Sequence, residues 1–84
     1  MAVHEKYQRL FEHLRDAAER GEQLVALPIA EVDALIDGLP PAALTKKQWW
    51  SGTTTAQARA WNAAGWRVEV VGFRQQRVAF RRLD

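Results

Sequence analysis

Apolar residues near the start of the chain recur at helical spacing: Tyr7, Leu10, Phe11, Leu14, then Ala17 or Ala18, with charges between them. The spacing predicts a helix from His4 to Arg20, stopped by Gly21. Its wet side would carry the pairs Glu5–Arg9, Glu12–Arg15 and Asp16–Arg20. The apolar run Gln23 to Leu27 reads as a short strand. Pro28 then suits a helix start, where its missing N–H is no loss. Ile29, Val32, Leu35 and Ile36 mark one face of a second helix, Ile29 to Asp37, ended at Gly38. Leu39-Pro40-Pro41 forces a turn, because a residue preceding proline is pushed out of helical geometry.

A third helix is expected from Pro41 to Trp50, broken by Ser51-Gly52-Thr53. Thr54 and Gln57 have the spacing of a capping box, in which each side chain satisfies an orphan N–H of the first turn. They would open a fourth helix, Thr55 to Ala64, stopped by Gly65. On it Ala58, Trp61 and Ala64 face inward, while Thr55, Arg59 and Asn62 share the opposite stripe. The period then changes to two. Trp66, Val68 and Val70 alternate with Arg67, Glu69 and Val71, and Val78 and Phe80 alternate with Arg77, Ala79 and Arg81. With Gly72 to Gln76 as a polar loop, this is an antiparallel hairpin whose apolar face must lie on the helices. The fold class is therefore α+β: three to four helices and a C-terminal β-hairpin in one domain, residues 1–84, in the order of a winged helix-turn-helix.

Composition narrows the function. With 84 residues the chain holds one small core, and eight aromatics, four of them tryptophan, supply much of its apolar area. There is no cysteine, hence no thiolate nucleophile and no Cys-based zinc site. No apolar run spans a bilayer and Met1 to Lys6 lacks a signal-peptide core, so a cytoplasmic location away from membranes is expected. His4 and His13 lie on different faces of the first helix without companion ligands and read as surface residues, so no metal or other cofactor is expected. No hydroxyl has a base beside it in a catalytic motif, and the glycines form no phosphate loop. The chain does not read as an enzyme.

Charge is informative. The net charge of +2 hides a split: residues 1–42 carry −4 and residues 43–84 carry +6. A basic surface of this kind suits a polyanion. In a winged helix one helix enters the major groove and the hairpin grips phosphate. The fourth helix would present Thr55, Arg59 and Asn62, the third Lys46, Lys47 and Gln48, and the hairpin Arg67, Arg74 and Arg77. Trp61 and Trp66 are expected in the core. Trp49 and Trp50 would point about 100° apart on a helix, which leaves one of them near the surface. Next to cations, such an indole could stack on an unpaired base.

From Leu39 onward the residues resemble an uncharacterised small bacterial domain family. The resemblance rests on Leu39-Pro40, Trp49-Trp50-Ser51-Gly52, Ala60-Trp61, Ala64-Gly65-Trp66 and Val78-Ala79-Phe80-Arg81. Tyr7, Leu10 and the Ile29-to-Ile36 segment extend it over most of the chain. The family pattern has Ser-Asn after the Trp pair, where this chain has Ser51-Gly52. Its members look like stand-alone small proteins or appendages of restriction-type nucleases, which implies DNA recognition and transfers no catalytic residue. The sequence thus points to a duplex-DNA-binding protein acting as regulator, nucleoid component or defence accessory. The alternative is a protein-interaction or homodimerisation module using an exposed Trp patch and the hairpin edge.

Overall fold

The computed structural model describes residues 3–83. A 3-10 turn, Glu5–Tyr7, leads into α1, Gln8–Glu19. Then follow β1, Leu24–Pro28, and α2, Ile29–Leu35; α3 is Pro41–Thr45, and a second 3-10 turn is Lys47–Trp49. The chain ends with α4, Ala56–Ala63, β2, Trp66–Gly72, and β3, Arg77–Arg82. The fold is α+β, four helices on a three-stranded antiparallel sheet of order β1-β3-β2 that contains the C-terminal β2–β3 hairpin. The short first strand is therefore no isolated element: it pairs along β3 from Leu24 opposite Arg81 to Pro28 opposite Arg77.

The helices cover one face of the sheet. Leu10, Leu14 and Ala17 from α1, Val32 from α2, Ala43 from α3, and Ala58, Ala60 and Trp61 from α4 meet Val25, Leu27, Trp66, Val71, Val78 and Phe80 from the strands. Trp50 and Trp61 stack with centroids 6.1 Å apart, and the Phe80 ring meets Trp61 edge-on at 5.7 Å. Two of the buried indole N–H groups have carbonyl partners, as burial requires. Trp50 Nε1 donates to the Ala43 carbonyl and Trp66 Nε1 to the Leu14 carbonyl, both at 2.8 Å.

Four local expectations are corrected. The third helix stops at Thr45, because Lys46 is extended (φ −122°, ψ 121°), so Lys46, Lys47 and Gln48 share no helical stripe. Thr55, one residue later than expected, caps α4 by accepting from the Ala58 N–H at 3.2 Å. Gln57 is free of the box and reaches back to the Trp49 carbonyl at 3.1 Å. In β2 the pairing jumps from Val68–Phe80 to Val70–Ala79, which leaves Glu69 as a bulge. The extra residue reverses the alternation, so Val70 is 56% exposed and Val71, at 7%, enters the core. Finally, the three expected ion pairs of α1 are absent among the described residues, because its cations serve other groups. Lys6 donates to the Ile36 and Gly38 carbonyls, Arg9 to the Ala34 carbonyl, and Arg15 lies over the Phe11 ring. Arg20 pairs with Glu22.

Candidate nucleic-acid interface

Core packing dictates where the cations of the second half can go. With Ala58, Ala60, Trp61 and Ala64 turned inward on and beside α4, Arg59 is left on its solvent side. Lys46, Lys47 and Gln48 are exposed on the segment joining α3 to the second 3-10 turn. Arg74 is exposed in the hairpin loop, and Arg77 opens β3 opposite Gly72. Among the described residues, none of Lys46, Lys47, Arg59, Arg74 and Arg77 has an acidic partner within ion-pair distance.

Of the other arginines of this half, Arg81 and Arg82 are engaged and Arg67 stands at the limit of ion-pair distance. Arg81 donates to both carboxylate oxygens of Glu69, the Nη2 bond being 2.9 Å, and Arg67 Nη2 lies 4.0 Å from the same group. The Arg81 hydrogen bond, helped by the charges of Arg81 and Arg67 and opposed by partial burial, holds the Glu69 carboxyl below the usual carboxylate range. The same contact raises Arg81. Arg82 lies over the Trp66 ring, 5.6 Å from its centroid, a cation–π contact.

Thr55 and Asn62, expected to read bases, both make structural contacts. The Thr55 hydroxyl oxygen accepts the cap hydrogen bond, and Asn62 Nδ2 donates to the Trp66 carbonyl at 2.7 Å. That bond leaves Asn62 Oδ1 as an acceptor without a partner among the described residues.

Two neighbouring cavities run beside β2, which is an edge strand. One, about 200 Å³, lies between Lys47 and residues 68–71. The other, about 450 Å³, is lined by the polar Ser51, Thr53, Asn62 and Arg67 and the apolar Trp50, Trp61, Val68 and Leu83. Trp50, Ser51 and Val68 border both. The fold thus gathers Lys47, Asn62 and Arg67 along one groove. Arg74 and Arg77 stand at the far end of the hairpin, about 17 Å from Arg67 at ~3.3 Å per residue. Sequence reasoning took Ser51, Gly52 and Thr53 as a helix stop, found no base to activate the hydroxyls, and set Gly52 against an Asn of the resembled family; what could have marked all three as lining residues is their position directly after an aromatic pair. Of that pair Trp50 is buried and Trp49 half-buried, T-shaped against it at 4.8 Å. No group of three or more His, Cys, Asp or Glu side chains able to hold a metal occurs among the described residues, and no described helix is long and apolar enough to cross a membrane.

Residues 7–83 match the model of a family described as Domain of unknown function (DUF7662). No curated protein and no solved structure matches the chain.

Proposed function

The chain belongs to that family of unknown function, and we propose that it is a duplex-DNA-binding module that grips the phosphate backbone with its basic C-terminal half. The observation that carries this reading is the set of exposed cations without acidic partners among the described residues: Lys46, Lys47, Arg59, Arg74 and Arg77. Spread over a loop, a helix and a hairpin, they suit a phosphate backbone better than a single small anion.

The arrangement of elements supports the same reading. A helix, a strand, further helices and a terminal hairpin, with sheet order β1-β3-β2, correspond to a winged helix, in which α4 is the helix that leads into the wing. In that geometry α4 lies toward the major groove with Arg59 as its base-reading cation, since Arg pairs bidentately with guanine. Lys46, Lys47 and Gln48 flank it. Arg67, Arg74 and Arg77 follow the phosphates from the wing. Such a module serves as a regulator, nucleoid component or defence accessory.

Fluorescence anisotropy with a labelled mixed-sequence duplex and the corresponding single strand, titrated across salt, tests this. Duplex binding that weakens linearly in log–log salt supports it, and the slope counts the phosphates contacted. No binding at low salt overturns it. A second reading, docking of a protein or a second copy, is favoured by one observation. The sheet face away from the helices carries the row Ala26–Ala79–Val70, with Leu24 and Val70 exposed. Light scattering across salt, showing oligomers without DNA affinity, would favour that reading.

A further inference from the structure

The larger cavity beside β2 has the chemistry of a nucleobase site. Its volume of about 450 Å³ falls within the roughly 300–1,000 Å³ typical of small-ligand sites. Its apolar lining is Val68, Leu83, which is 42% exposed, and the edges of the buried, mutually stacked indoles of Trp50 and Trp61. Among its polar lining residues Asn62 is the directional one. Its amide nitrogen is held by the Trp66 carbonyl, so the side chain is fixed and offers Oδ1 as an acceptor. A fixed acceptor selects a ligand edge that carries a donor. Cytosine N4, adenine N6, guanine N1 and the N3–H of an unpaired thymine or uracil are all such donors, so the acceptor suits the pairing edge of any unpaired base. Arg67, which lines the same cavity, and Lys47, which lines the adjoining one, supply positive charge for the phosphates flanking a base.

We propose that this cavity receives a single unpaired nucleobase, a donor of its pairing edge on Asn62 Oδ1, with its flanking phosphates on Arg67 and Lys47. The proposal deepens the DNA-binding reading and rests on it. The base comes either from an extrahelical nucleotide of a bound strand or from a free nucleotide, and both present the same base edge and phosphate. Within a duplex the cost of unstacking the base is lowest where it is already unpaired.

The test uses the full chain and three probes: a fully matched duplex, the same duplex with one bulged cytosine, and free CMP, AMP and UMP. Affinity is read by anisotropy, and site occupancy by NMR shifts of the Asn62 side-chain amide and the Arg67 backbone amide. The expected result is roughly tenfold tighter binding of the bulged than of the matched duplex, because the matched base must first be unpaired. Thr53→Trp, which fills the cavity mouth, should abolish that difference. Shifts with CMP, AMP and UMP, and no preference for the bulge, would assign the site to free nucleotides. Equal affinity for both duplexes together with no shift from any nucleotide would overturn the cavity proposal and leave duplex binding standing. Failure to bind any of the probes would remove both.

Discussion

The indole of Trp66, at the start of β2, donates to the Leu14 carbonyl of α1 at 2.8 Å, a buried contact across 52 residues of sequence. It ties the hairpin to the first helix where Leu14 and Trp66 are both fully buried. Trp66→Phe keeps an aromatic ring but removes the donor and part of the buried indole, while the Leu14 carbonyl keeps its helical partner in α1; the lost hydrogen bond and packing cost about 1–3 kcal/mol. For a domain of this size each kcal/mol corresponds to roughly 4–8 °C in Tm. Thermal unfolding followed by far-UV circular dichroism checks it. Trp49→Phe should cost less, since Trp49 is half-buried and Gln57 binds its backbone carbonyl rather than its ring.

Gly52 and Gly65 have φ of +91° and +94°, where side chains strain the backbone. A Cβ at Gly65 would also fall 2.7 Å from Arg82 Nη1 and push the guanidinium off the Trp66 ring. Gly52 faces open space. Gly65→Ala is therefore expected to cost more than about 1 kcal/mol, and Gly52→Ala about that much. Gly52→Asn should be the mildest change at that position, since Asn enters the left-handed region more readily than other side chains. Backbone conformation thus suffices to explain Gly52 after Trp49-Trp50-Ser51, with no ligand contact required. Urea denaturation of the three variants decides the order.

The end of α2 depends on cations from elsewhere. Lys6 Nζ lies 3.0 Å from the Ile36 carbonyl and 3.2 Å from that of Gly38, where Asp37 and Gly38 turn the chain at positive φ. A cation there complements both the orphan carbonyls and the negative end of the helix dipole. Lys6→Met should destabilise the domain by about 0.3–1 kcal/mol at low ionic strength and by less in high salt. Denaturation midpoints at two salt concentrations measure this.

What the sequence made legible follows from the range of the interactions concerned. Periodicity placed α1, α2, α4 and the hairpin, and the inward stripe of Ala58, Trp61 and Ala64, because burial of one face is written into spacing. The bulge at Glu69 was hidden: Val68, Val70 and Val71 are equally good strand residues, and only the pairing with Phe80, Ala79 and Val78 decides which valines face the core. The third helix was overextended because Lys46, Lys47 and Gln48 are good helix formers, while the termination at Lys46 comes with Trp50 seating its indole against the Ala43 carbonyl. Charge asymmetry revealed the basic half. It could not separate Arg59 and Lys47, which lack acidic partners among the described residues, from Arg81, which Glu69 occupies.

Within the DNA-binding reading, Arg59 and Arg20 make the sharpest comparison. Arg59 is exposed on α4, whereas Arg20 is exposed on the acidic half and, among the described residues, pairs with Glu22, two residues away. Arg20 is a cleaner control than Arg9, whose guanidinium holds the Ala34 carbonyl. Arg59→Glu should weaken duplex binding and lower the salt slope by about 1, while Arg20→Glu leaves both nearly unchanged. Equal effects in anisotropy titrations would place the contact surface elsewhere.

Glu69 gives that surface a dependence on pH. It is the bulged residue of β2, bonded to Arg81 and 4.0 Å from Arg67, and chiefly the Arg81 hydrogen bond lowers its carboxyl from the usual range. A carboxyl with a depressed folded-state pKa stabilises the fold above its unfolded pKa, and that contribution disappears as pH falls through the folded value. Wild type and Glu69→Gln should therefore differ most near neutrality and converge in acid. The difference should be small and salt-sensitive, because the pair is exposed. Duplex affinity should move the opposite way. Neutralising Glu69 releases Arg67 and Arg81, so Glu69→Gln is expected to bind duplex more tightly at pH 7 with a steeper salt slope. As the carboxyl titrates, wild type should approach the variant. Anisotropy at neutral and acid pH, on both proteins, reads this directly. Identical affinities at every pH would mean that Arg67 and Arg81 stand away from the DNA, leaving the contacts to Lys46, Lys47, Arg59, Arg74 and Arg77.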